Sequence, residues 1–97
     1  LAMDIYTWLT YRMFVLRASG KRAARVPWVG LMKQLGANYA DTPEGLRAFR
    51  FQFRKRLREV LLFYPEAHGH VKDEGTHLML TPCQLHLPGP DAMPRLL

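Results

Sequence analysis

Residues 42–62 read TPEGLRAFRFQFRKRLREVLL, and this stretch decides the fold. Leu46, Phe49, Phe53, Leu57 and Val60 recur at spacings of three and four. A helix stacks such residues into one apolar stripe. Its start is marked three times over. Asp41 or Thr42 can accept a hydrogen bond from a free first-turn N–H, Pro43 suits the first turn, and Glu44 faces the positive end of the helix dipole. Pro65 stops it. A long helix with one buried stripe is therefore predicted over 42–62, and the flanking sequence must cover that stripe.

Upstream, residues 2–18 carry Ile5, Trp8, Leu9, Arg12, Val15 and Leu16 at helical spacing, with Asp4 early and Arg17 late to suit the dipole. Tyr6, Met13 and Phe14 widen the apolar face, which predicts a helix central to the core. Ser19-Gly20 ends it. A cationic connection follows to Val26, which Pro27 forces towards extended geometry. Trp28, Leu31, Met32 and Leu35 then give a short helix after Pro27, with Gly36 as its C-terminal cap and residues 36–41 as a turn around Asn38 and Asp41.

Downstream, residues 67–72 read as a weak extended segment, Asp73-Glu74-Gly75 as a turn and residues 76–81 as a strand. Together they make a β-hairpin. After Pro82 the chain turns to Pro, Gly and scattered Leu, which predicts a loose tail over 83–97. No internal repeat is visible. The order helix, short strand, helix, turn, long helix, hairpin is that of a winged helix-turn-helix over residues 1–82. The expected class is α+β and mostly helical, three helices plus a hairpin wing.

Ninety-seven residues fit one domain, and 48% hydrophobic residues exclude a disordered tail. Lys and Arg number 14 against 8 Asp and Glu, a net charge of +6, which suits an anionic partner. The single cysteine, Cys83, excludes a disulfide framework within the chain and fits a reducing cytosol. No apolar run approaches the roughly 18 residues of a membrane span, and no signal peptide is visible, so a cytoplasmic domain is expected. The chain begins at Leu1, inside what reads as a helix, which suggests a piece of a longer protein.

The long helix holds much of the charge: Arg47, Arg50, Arg54, Lys55, Arg56 and Arg58 against Glu44 and Glu59. At about 100° per residue, Arg47, Arg54 and Arg58 share a narrow arc beside the apolar stripe, with Arg50 and Lys55 at its edges. A recognition helix needs such a face, because arginine pairs bidentately with guanine edges and with phosphates. The N-terminal residues Glu44, Arg47, Ala48 and Phe51 are the candidates for base edges. Arg50, Arg54, Lys55 and Arg58 are candidates for phosphates, as are Lys21, Arg22 and Arg25 before the helix-turn-helix and Lys72 in the wing, where His77 also lies. The plainer alternative is a solvated face with pairs such as Lys55 to Glu59, and a solvated loop at 21–25.

His68-Gly69-His70, His77 and Cys83 invite a metal site, since an H-x-H pair in a strand puts both imidazoles on one face. Their spacing matches no common zinc pattern and no second cysteine exists, so no metal and no cofactor is expected. The sequence holds no Gly-rich phosphate loop, no G-x-S-x-G and no acidic metal cluster. Tyr6, Tyr11, Tyr39 and Tyr64 read as core aromatics rather than nucleophiles. The sequence predicts a binding domain, not an enzyme.

The stretch Ala2-Met3-Asp4-Ile5-Tyr6-Thr7-Trp8-Leu9-Thr10-Tyr11-Arg12-Met13 resembles a signature block of the plasmid-encoded RepA replication proteins. Pro27-Trp28, Leu31 and Gln34-Leu35-Gly36 resemble the next block. So do Phe49, Phe53, Leu57, Val60, Tyr64-Pro65-Glu66-Ala67 and Leu78-Met79-Leu80-Thr81-Pro82. The resemblance covers nearly all of residues 2–82 and implies the C-terminal part of an initiator that binds repeated double-stranded origin sequences in bacteria. Related initiators are commonly built from two winged helices, one of them with dimer contacts. Two other readings stand beside this one. Trp8 and Tyr11 could instead form an interface with a second winged helix or another copy, and a transcriptional regulator could use the same fold.

Overall fold

The computed structural model describes residues 1–83. Three helices and three short strands follow in the order α1 Ala2–Ser19, β1 Ala24–Pro27, α2 Trp28–Leu35, α3 Pro43–Phe63, β2 Val71–Asp73 and β3 His77–Leu80. A single 3₁₀ turn at Pro65–Ala67 follows α3. The domain is α+β and mostly helical, and its sheet is antiparallel with strand order β1-β3-β2.

The stripe on α3 is the centre of the core. Phe49 and Phe53 are wholly buried, and Leu57 and Val60 nearly so. Phe53 meets the Trp28 ring edge-on at 5.3 Å and Trp8 at 5.9 Å, so one ring joins α3 to both other helices. Such edge-to-face pairs contribute about 0.5–1.5 kcal/mol each beyond their buried area. Thr42, rather than Asp41, is the N-cap: its Oγ1 accepts from the Gly45 N–H at 3.0 Å.

The first helix buries Ile5, Leu9, Met13 and Leu16. Val15 and Phe14, expected in the core, face outward instead, with Phe14 57% exposed. The helix is apolar around most of its circumference, so spacing could not tell which apolar residues point inward. Gly20 ends it in the left-handed conformation at φ 72°, as a C-terminal glycine should. Gly36 ends α2 differently, at φ −119°. A Cβ there would stand 2.7 Å from the Phe49 ring, so packing rather than φ requires the glycine.

The hairpin also differs from its expected outline. Residues 67–70 form the 3₁₀ end and a turn, with Gly69 at φ 85°, so the strand begins only at Val71. Asp73 belongs to β2 and pairs with Leu78, which leaves Glu74-Gly75-Thr76 as the turn. The short segment at Val26 becomes a full partner: Ala24 pairs with Leu80 and Pro27 with His77, making β3 the middle strand. The expected tail lies outside the described residues except for Cys83. That residue is buried, with Sγ 3.5 Å from the Tyr64 hydroxyl, and its carbonyl accepts from Arg17 at 2.9 Å.

Candidate functional site

The face of α3 opposite the core carries Glu44, Arg47, Phe51, Arg54, Lys55 and Arg58, all exposed. Positions 47, 51, 54, 55 and 58 recur at spacings of three and four, so they form one ridge. Ala48 is exposed beside them. Phe51, Arg54, Lys55 and Arg58 border a shallow depression open to solvent. Phe51 stands in it 58% exposed.

The cations divide into two groups. Arg50 and Arg54 are engaged by Asp73 of β2. The Arg50 guanidinium reaches both carboxylate oxygens, at 3.0 and 3.3 Å, and Arg54 reaches one at 3.2 Å. Arg50 also lies over the Trp28 ring, its Cζ 5.3 Å from the centroid, in cation–π contact. Trp28 Nε1 donates to the same carboxylate at 3.1 Å, and the Gly75 N–H at 2.9 Å. One carboxyl group thereby joins α2, α3 and the hairpin. Burial pushes the Asp73 pKa up. The hydrogen bonds from Gly75, Arg50 and Trp28, with the charge of Arg50, outweigh this and hold it below the ordinary 3.8.

Lys55 and Arg58 belong to the second group, exposed cations for which no ion pair forms within the domain among the described residues. Arg47 touches Glu44 only loosely, at 3.7 Å, with both side chains well solvated. Such an exposed pair contributes little and opens readily. Arg56 points elsewhere and pairs with Glu59 at 2.7 Å. The sequence pairing of Lys55 with Glu59 does not form, because Glu59 turns to Arg56.

Of the remaining candidates, Arg25 and Lys72 come together in a way the sequence did not reveal. Both pair with Met79 of β3, from opposite sides. Directly opposed residues of an antiparallel sheet share a face. Arg25 and Lys72 therefore flank Met79 on the face turned from Leu78 and Leu80. Lys21 and Arg22 stay in the exposed turn after α1, where the Lys21 N–H donates to Ser19 Oγ.

Asp73 is the residue whose importance the sequence concealed. Its bond to the Gly75 N–H is local turn chemistry and legible in Asp-Glu-Gly. Its reach to α3 depends on how the hairpin docks, for which no short-range signal exists.

The histidines do not converge. His68 and His70 sit in the turn before β2, not in a strand. His70 Nδ1 lies 2.9 Å from Thr81 Oγ1, and His77 Nδ1 lies 3.0 Å from Thr76 Oγ1. Among the described residues no three His, Cys, Asp or Glu side chains gather as metal ligands. Tyr64 is buried and Tyr39 packs on Phe49 at 5.4 Å, whereas Tyr11 is 66% exposed and not a core aromatic. No described helix is long and apolar enough to cross a membrane. Compared with protein-family models, curated proteins and solved structures, the chain matches none of them.

Proposed function

We propose that this chain is a winged helix-turn-helix domain that binds double-stranded DNA, with α3 in the major groove and the β2–β3 hairpin as the wing. The element order and the strand order β1-β3-β2 support the winged-helix reading. The observation that carries the DNA reading is the exposed ridge of α3, where Arg47, Lys55 and Arg58 flank Phe51 and the only acid is Glu44. A helix of this charge, following a helix and a turn, suits phosphates along both walls of a groove and base edges at its floor. Arg47 is assigned to base edges, and Lys55 and Arg58 to phosphates. The domain acts by binding and performs no catalysis.

The resemblance of residues 2–82 to plasmid RepA proteins gives the biological setting of this proposal: recognition of repeated origin sites in the bacterial cytoplasm. One observation favours a second reading. Met3, Tyr11 and Phe14 are exposed on α1, as an interaction module would need.

Fluorescence anisotropy on origin-repeat and scrambled duplexes, at two salt concentrations, separates the two. Under the DNA reading Arg47→Ala removes the preference for repeats. Arg58→Ala weakens both duplexes and lowers the log–log salt slope by about 0.9. Failure to bind either duplex at low salt would leave the interaction module as the better account.

A further inference from the structure

We propose that Phe51 reads the C5-methyl group of a thymine in the major groove, making it a specificity-determining residue of this domain. The inference rests on the DNA reading and adds to it the chemistry of one recognised base.

Phe51 is a large apolar ring left 58% exposed among the cations Arg47, Arg54, Lys55 and Arg58 of the same helix face. Arg54, Lys55 and Arg58 border it, around a shallow depression open to solvent. An apolar protein partner seated on this ring would have to bury Lys55 and Arg58 as well, which is unfavourable without matching acids. A DNA duplex meets both demands at once, its phosphates facing the cations while the groove floor faces the ring. Among the groups that base pairs present in the major groove, the thymine methyl is the apolar one, and phenylalanine is among its known types of contact. Phe51 lies in the first half of α3, which runs from Pro43 to Phe63, and that half reaches base edges in helix-turn-helix domains.

Stacking of a single-stranded base on the ring is the other way to use an aromatic beside arginines. Such platforms set several rings in succession. Among the described residues Phe51 is the sole exposed ring on the ridge, since Tyr11 and Phe14 belong to α1 and Phe63 falls at the far end of α3, off the ridge.

The test begins by selecting duplexes from a random pool with the full chain. Each thymine of the selected site is then replaced in turn by deoxyuridine, which removes only the methyl. One replacement should weaken binding about fourfold, the effect of withdrawing one buried methyl from contact. Phe51→Ala, folded as judged by circular dichroism, should bind the thymine and deoxyuridine duplexes alike. Selective binding with no thymine sensitive to the replacement would overturn the inference and leave the DNA reading standing. So would a thymine effect that persists in Phe51→Ala. Tighter binding of the single strand than of the duplex would favour stacking and overturn it. Binding to no nucleic acid would remove both proposals.

Discussion

Replacing Asp73 by asparagine should make the domain less stable and yet stickier to DNA. The carboxylate accepts from Trp28 Nε1 at 3.1 Å, Gly75 N–H at 2.9 Å, Arg50 at 3.0 Å and Arg54 at 3.2 Å. Asparagine keeps the shape and one acceptor oxygen, so the Trp28 and Gly75 bonds survive. Its amide N–H₂ then opposes the arginine donors. A hydrogen bond to a charged group contributes about 1.5–3 kcal/mol when buried. The Asp73 side chain is 19% exposed, but Arg50 is 27% and Arg54 48% exposed, so solvent screens both pairs. A loss of about 2 kcal/mol results, or a fall in Tm of about 8–16 °C for a domain this size. Arg50 also remains over Trp28, which limits the damage. The same change raises the net charge from +6 to +7 and releases the Arg54 guanidinium next to the proposed DNA face, while Arg50 keeps the retained oxygen and the Trp28 ring. Affinity for scrambled duplex should rise and its salt slope steepen by about 0.9. Melting followed by Trp fluorescence, with anisotropy on the same samples, reads both effects. An unchanged Tm would refute the view of Asp73 as the joint between helices and hairpin.

Three further outcomes are expected. Asp73 has a lowered pKa in the folded state, so its stabilisation is present above the unfolded value of 3.8 and lost as pH falls through the lower folded value. Urea midpoints of wild type and Asp73→Asn should stay well separated at pH 5–7 and converge in acid below 3.8; separation that persists at the lowest pH would contradict this. Thr42→Ala removes the hydroxyl that accepts from Gly45 N–H and should cost about 1 kcal/mol by chemical denaturation, with Asp41→Ala near neutral. Gly45→Ala should be far worse than a helix-favouring substitution suggests, by about 1–3 kcal/mol, because its Cβ would fall on the Ala40 carbonyl; a stabilised variant in thermal melts would mean the loop has room to move.

Much of the helical frame was legible because periodicity and caps act locally. Thr42-Pro43-Glu44 and the Phe49–Val60 stripe announce α3 without reference to the rest of the chain. The orientation of α1 was not legible, since a helix with Phe14 and Tyr11 opposite Ile5 and Leu9 offers two plausible inward faces. Packing against α3 chooses between them. The same limit hid the ion pairs of the cationic ridge. Arg54 looks equivalent to Arg58 on a helical wheel, and Arg50 stands at the edge of the same arc. Only the arrival of Asp73 from a distant hairpin separates engaged cations from solvated ones. Ridge membership is a property of one helix, whereas availability depends on everything that docks beside it.

The central position of β3 bears on how the chain reaches its fold. Its partner on one side, β1, comes from the early part of the sequence, so Ala24 must wait for Leu80. Contacts this distant in sequence slow folding, because the intervening chain is ordered before the pairing rewards it. On the ribosome α1, α2 and α3 emerge first, and the edge of β1 stays unpaired until almost the whole domain is out. A chain shortened before His77 would thus lose more than the hairpin. It would expose β1 as an open strand edge, a ready template for association with other chains.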